Sequence, residues 1–146
     1  MSLDVEYDRD NIFAKIIRGD APCVKVHESE NVLAIMDVFP QSEGHCLILH
    51  KKSEAVNFLD VESNALNELM SVSQKVARAV KSALNPAGIR FLQFNGARAG
   101  QTVFHLHFHV LPVYEGVVVA AHASGKPADA SALEPIAAKI RGAISD

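Results

Sequence analysis

The stretch Gln101-Thr102-Val103-Phe104-His105-Leu106-His107-Phe108-His109-Val110-Leu111-Pro112 sets three histidines in alternation with large apolar residues. Successive side chains on a strand point to opposite faces. The spacing therefore predicts His105, His107 and His109 on one face and Phe104, Leu106, Phe108 and Val110 on the other. The apolar face suits a core, whereas imidazoles serve near neutral pH as nucleophiles, proton carriers or metal ligands. At about 3.3 Å per residue, His105 and His109 stand roughly 13 Å apart, which excludes a three-histidine zinc centre on this strand alone. A neighbouring pair, roughly 6.6 Å apart, can share zinc with ligands from elsewhere or flank one reacting atom. The preceding loop agrees better with the second option. Gly96 and Gly100 allow close backbone approach, and Asn95, Gln101 and Thr102 offer neutral donors, a set suited to phosphate oxygens.

Outward from this strand, the chain reads as an α+β domain. Asp10 can cap a short helix over 11–18, in which Ile12, Phe13, Ile16 and Ile17 repeat at helical spacing before Gly19. Strands are expected at 24–27, 31–37 and 45–50, joined by connections too short for crossover helices and so antiparallel. Ser53 and Glu54 are expected to open a helical region. Its stripe of Leu66, Leu69, Met70, Val72, Val76, Ala77, Val80 and Leu84 runs to the break at Asn85-Pro86 and should cover one sheet face. Residues 89–94 and 103–111 complete a five-stranded antiparallel sheet with one long helix packed across it. An extra C-terminal helix is expected from about 131 to 144.

With 146 residues, 49% of them apolar, the chain fits one domain over 1–146, and a chain of that size buries roughly 70% of its unfolded surface. A formal charge of −3 with scattered Lys and Arg gives no basis for nucleic-acid binding, so small ligands are the expected partners. Cys23 and Cys46 are too few and too far apart for a disulfide framework or a metal knuckle. The start Met1-Ser2-Leu3-Asp4 shows no basic region followed by an apolar run, and no segment approaches about 18 apolar residues. Neither secretion nor membrane association is expected, and the cytoplasm is the expected compartment.

His105-Leu106-His107-Phe108-His109-Val110-Leu111 resembles the histidine triad (HIT) pattern, His-φ-His-φ-His-φ-φ with φ apolar, of a family of nucleotide hydrolases and nucleotidyl transferases. Other stretches agree in order. Asn11-Ile12-Phe13-Ala14-Lys15-Ile16-Ile17-Arg18-Gly19 resembles the family's opening helix and Val32-Leu33-Ala34-Ile35-Met36-Asp37 its ribose-side strand. Gly44-His45-Cys46-Leu47-Ile48-Leu49-His50-Lys51-Lys52 resembles its third strand, and Asn95-Gly96 with Gly100-Gln101-Thr102-Val103 the lead into the triad. The likeness covers 11–112 and leaves 113–146 as an extension.

What the resemblance implies can be stated residue by residue. His107 would attack the α-phosphorus of a purine nucleotide conjugate, held neutral and aimed by a bond from its other ring nitrogen to a backbone carbonyl. His109 would bind a phosphate oxygen, and His105 and His45 would support the site. Asn95, Gly100, Gln101 and Thr102 would hold the phosphate and leaving group. Asp37 would accept both ribose hydroxyls, its bland alternative being a strand-end cap, while Ile12, Phe13, Ile16, Ile35, Val38 and Leu47 would line the base slot. His27, His50 and His122 read as surface or satisfied histidines. Many bacterial relatives hold structural zinc through a Cys-x-x-Cys, a later histidine and a triad histidine. The corresponding positions are Asn11, Ala14, Ser53 and His105, so neither metal nor cofactor is expected. The resemblance also implies a homodimer. A nucleoside phosphoramidate is the favoured substrate class. Dinucleoside polyphosphates, a nucleotide-binding interaction module with incidental turnover, and a zinc enzyme using His107 and His109 are the alternatives.

Overall fold

A computed structural model describes residues 3–145, so Met1 and Ser2 of the N-terminal start read above lie outside the described residues. The chain runs α1 (Ile12–Ile17), β1 (Lys25–Glu28), β2 (Val32–Met36), β3 (Cys46–His50), α2 (Ser63–Leu84), β4 (Gly88–Leu92), β5 (His107–Val113) and α3 (Ala130–Ala143). The five strands form one antiparallel sheet in the order β1-β2-β3-β5-β4. The chain leaves β3 through α2 and returns with β4 at the far edge, so that β5 inserts beside β3.

The sheet is covered on both sides. On one face Val26, Ala34, Ile48, Phe108 and Val110 pack against Leu69, Val72, Val76 and Val80 of α2, and Leu133, Ala137 and Ile140 of α3 join the same core. At roughly 25 cal/mol per Å² of apolar area removed from water, this layer is the dominant source of stability. On the other face Leu33, Ile35, Leu47 and Leu49 form a smaller cluster with Phe13 of α1. Arg141 ties α3 to the edge of the sheet through the Lys25 carbonyl.

Local starts differ from the sequence reading for identifiable reasons. Asn11, not Asp10, caps α1, its side chain accepting from the Ala14 amide at 2.9 Å. α2 opens at Ser63 and not near Ser53, because side chains in 53–62 take the backbone donors a helix would need. Asp60 accepts from the Val56 and Asn57 amides at 3.1 and 2.9 Å, and Asn57 from Leu59 at 2.8 Å. At its far end α2 stops as expected, with Asn85 left-handed (φ 49°) ahead of Pro86. The other early departure is β5, which begins at His107 and not at residue 103. The Gln101 side-chain Nε2 donates to the carbonyls of Val56 (2.7 Å) and Val103 (3.1 Å), and the Leu106 amide donates to the Ala55 carbonyl (2.9 Å). Residues 101–106 are thus pulled off the sheet toward the loop before α2. Gly44 makes the approach to β3 possible. Its φ is +92°, and a Cβ there would stand 2.3 Å from Leu84 Cδ1 and 3.3 Å from Pro112.

Candidate active site

Because β5 starts at His107, only His107 and His109 obey the strand's alternation. They pair across the sheet with Leu49 and Leu47 and therefore face the α1 side. Their ring centroids are 5.0 Å apart. Phe13 meets His107 edge-on at 4.9 Å and Phe94 meets His109 at 5.6 Å. His105 lies ahead of the strand and serves the site through its carbonyl, which accepts from His107 Nδ1 at 2.7 Å.

The surrounding bonds fix which ring nitrogen carries each proton. His107 Nδ1–H donates to that carbonyl, so Nε2 keeps its lone pair. The Gln41 amide donates to His45 Nδ1 at 3.1 Å, so His45 bears its proton on Nε2 and donates it to His109 Nδ1 at 2.9 Å. His109 must then carry its own proton on Nε2, a buried atom with no protein partner. One wall therefore presents a lone pair on His107 and an N–H on His109. His105 is held on both sides: its Nδ1 accepts from the Tyr7 hydroxyl at 2.7 Å and its Nε2–H donates to the His50 carbonyl at 3.2 Å.

Burial keeps these rings uncharged. It pushes His105 and His107 down to about 4 and His109 to about 2, in each case through lost solvation first. The same cause lowers His45, although Asp37, whose Oδ2 lies 3.4 Å from His45 Nε2, pulls the other way. A neutral imidazole is the nucleophilic form, so the depressed values keep His107 ready at pH 7.

A cavity of about 320 Å³ opens in front of the pair. Among the residues expected to bind substrate, Ile12, Phe13, Ile16, Ile35, Asp37, Val38, Leu47, Thr102, His107 and His109 line it. Asp37 combines both readings considered for it. Oδ1 accepts the Phe39 amide at 2.8 Å as a turn cap, yet the carboxylate still borders the cavity and retains lone pairs. Asn95 uses Oδ1 on the Phe58 amide and on Gln93, both at 2.9 Å, which leaves Nδ2 as the atom it can offer. Gly100, with φ +111°, ends the short 3-10 turn Ala97–Ala99 beside Phe94. The expectation for Gln101 is corrected. Its Oε1 accepts the Gly96 amide at 2.8 Å and its Nε2 is taken by the two carbonyls named above, so the side chain staples the loop and has no donor left for a phosphate.

His122 is also corrected. The extension carries it over the site, where it lines the cavity against Phe94 (5.1 Å) and His109 (5.4 Å). No local pattern around Ala121-His122-Ala123 signals this, since only the path of the extension brings it there. The role of Tyr7 was likewise unread. His50 is satisfied as expected, accepting from the Lys52 and Ser53 amides and bonded to Glu68 at 3.1 Å.

The four positions that the resemblance aligns with zinc ligands do not compose a metal site. Asn11 caps α1, Ala14 has no donor, Ser53 Oγ bonds Glu62 at 3.0 Å, and both nitrogens of His105 are engaged. Among the described residues Asp37, His45 and His109 stand close enough to share an ion, but His45 Nε2 and His109 Nδ1 are already taken by their mutual hydrogen bond.

The HIT domain family matches residues 18–116. A crystal structure of a HIT-like protein involved in cell-cycle regulation from Bartonella henselae superposes with a TM-score of 0.87 at 42% identity, covering 95% of this chain and 100% of that one. A hypothetical histidine triad nucleotide-binding protein of Sulfolobus tokodaii gives a TM-score of 0.79 at 34% identity, over 90% and 89% of the two chains. In sequence, an adenosine 5'-monophosphoramidase of Schizosaccharomyces pombe is 37% identical over 101 residues, 69% of this chain and 72% of that protein.

Two outcomes follow from the site's electrostatics and donor set. The unfolded chain protonates histidine near the ordinary value of 6.5, whereas folded His105 and His107 resist until about 4. Stability should therefore be complete above pH 6.5 and fall as pH drops to 4, by up to about 1.4 kcal/mol per pH unit for each such ring. Urea unfolding at stepped pH reads this directly, and a flat profile across the window contradicts it. The window lies above that of Glu28, held at about 2 by Lys25 and Lys51. Treatment with a strong chelator should leave the melting temperature where it was, and a clear drop would show that a structural metal had been missed.

Proposed function

The chain belongs to the HIT family, and from that premise we propose a nucleotide hydrolase or nucleotidyl transferase acting at the α-phosphate of a purine ribonucleotide conjugate. The observation that carries the reading is the pair of opposed ring nitrogens, the His107 Nε2 lone pair beside the His109 Nε2–H, on the wall of a largely apolar cavity. Such a pair suits attack on phosphorus while the N–H holds a non-bridging oxygen. With a nucleoside phosphoramidate, the favoured substrate, the linking nitrogen takes a proton from water. His107 Nε2 then bonds phosphorus, and the amine departs with the electron pair of the broken P–N bond. Water next attacks the nucleotidyl-histidine, the electron pair of that P–N bond returns to the imidazole, and the nucleotide leaves with a proton released to solvent. The fission-yeast monophosphoramidase among the relatives favours this substrate class.

In this reading the base lies among Ile12, Phe13, Ile16, Ile35, Val38 and Leu47 and the ribose hydroxyls meet Asp37. Thr102, Asn95 and the backbone at Gly100 face the phosphate side. His45 orients His109, and His105 orients His107. The whole chain acts as one domain, because α3 seats Leu133, Ala137 and Ile140 in the same core as the sheet. A homodimer is supported by the uncovered β4 edge, where Phe91 is 47% exposed. A cytoplasmic setting fits two unbridged cysteines, and no described helix is long and apolar enough to cross a membrane.

His107→Gly should abolish turnover of an adenosine phosphoramidate while AMP binding stays measurable. The loss should exceed the roughly 10²–10⁴-fold of a missing proton-transfer group. Full activity in the variant would overturn the mechanism. For Asp37, the wild type should prefer AMP over dAMP by about 1–2 kcal/mol, the scale of a charge-assisted hydrogen bond. Asp37→Asn should narrow that gap in calorimetric titration, and an equal preference in both proteins would leave Asp37 with its capping role alone.

A further inference from the structure

We infer that His122 is a specificity-determining residue for the leaving group: its imidazole takes an oxygen of a phosphate on the far side of the scissile bond. The inference rests on the nucleotide reading above and adds the part of the substrate which that reading leaves open.

The extension is built to hold this ring where it is. After β5 the chain turns back across the site, and it is fastened on both sides of His122 to the loop that follows β2. The Ala120 amide donates to the Gln41 carbonyl at 2.9 Å, and Gln41 Nε2 returns a bond to the Ala120 carbonyl at 2.8 Å. Beyond the histidine, the Ala128 amide donates to the Val38 carbonyl at 2.7 Å. Between these fastenings Ala123 sits at φ +53°, a left-handed conformation that residues with a Cβ seldom adopt. Backbone strain beside a cavity-lining side chain marks a position held for its geometry.

The ring itself lacks partners. Phe94 and His109 pack on it, but both of its nitrogens are buried and neither is bonded by the protein. A buried donor and acceptor left unpaired are costly, and the open direction is the cavity that His122 lines.

Sheet order then fixes which part of a ligand it meets. Asp37 follows β2 and His45 precedes β3, on one side of His109, whereas Phe94 follows β4 on the other side. His122, seated on His109 and Phe94, stands across the reacting pair from the ribose carboxylate. A nucleotide with its ribose at Asp37 and its α-phosphate at His107 and His109 points its leaving group at Thr102 and His122. A phosphate is the complement to such a ring, because in either tautomer the imidazole has an unpaired N–H to give, and an anionic oxygen is the acceptor that rewards it most. Phosphoramidates remain the favoured substrates, and His122 extends the range to leaving groups that begin with a phosphate.

The probe is α,β-methylene-ADP, whose β-phosphate occupies the leaving-group position without being cleaved, compared with AMP by calorimetry. Wild-type protein should bind the analogue more tightly than AMP. His122→Ala should shrink that ratio about tenfold, the scale of one hydrogen bond to a charged group. His122→Gln, which retains a donor, should recover part of it, with melting temperatures unchanged in both variants. A ratio unaltered in His122→Ala while AMP still binds overturns the role of His122 alone. Failure of the wild type to bind either nucleotide overturns the nucleotide reading, and this inference with it.

Discussion

The hydrogen bond from His107 Nδ1–H to the His105 carbonyl is the contact on which the site depends. It sets the tautomer that leaves a lone pair facing the cavity, and it fixes the direction in which that lone pair points. A carbonyl two residues upstream can reach the ring only because the backbone leaves extended geometry between 101 and 106. Gln101, the Ala55 carbonyl and the Tyr7 hydroxyl enforce that departure. The break at the head of β5 is thus the device that converts a core strand into a site, and the large α2 layer behind it supplies the rigidity.

A second set of bonds runs in the opposite sense. From the Gln41 amide through His45 to His109, each donor fixes the next ring, and the sequence ends on an N–H with no protein acceptor. Neutral rings are what make such a directed series possible, since a doubly protonated imidazole in the middle would have nothing to accept with. Burial that lowers the histidine pKa values in the row therefore preserves the directed series, at a cost in acid stability.

Much of this was legible in the sequence because it is local. Period-two alternation points to Leu106, Phe108 and Val110 in the core, whereas Phe104, expected beside them, lies ahead of β5 and outside that core. Helical spacing identified Leu69, Val72, Val76 and Val80, and the break at Asn85-Pro86 marked where α2 stops. What failed has two causes. The start of α2 is displaced by local competition, since Asp60 and Asn57 capture nearby backbone donors that a first helical turn would need. Gln101 depends instead on a distant partner, and nothing near it announces that the Val56 carbonyl will claim its side-chain amide. His105 looked like an equal member of an alternating row, although its carbonyl contributes more directly than its ring. His122 was illegible for the same reason at longer range, since its place is set by bonds to residues some eighty positions earlier.

Gln41 connects these parts. Its amide N–H starts the series that ends at His109, while its carbonyl and side chain clamp Ala120, two residues before His122. The extension is consequently bonded to the same residue that orients His45 and, through it, His109. Neither the tautomer of His45 nor the path of residues 114–129 can change without disturbing the other. A segment outside the triad signature therefore belongs to the site by hydrogen-bond connectivity as well as by proximity. That explains how a histidine with no motif around it comes to pack against His109 with both ring nitrogens turned from solvent.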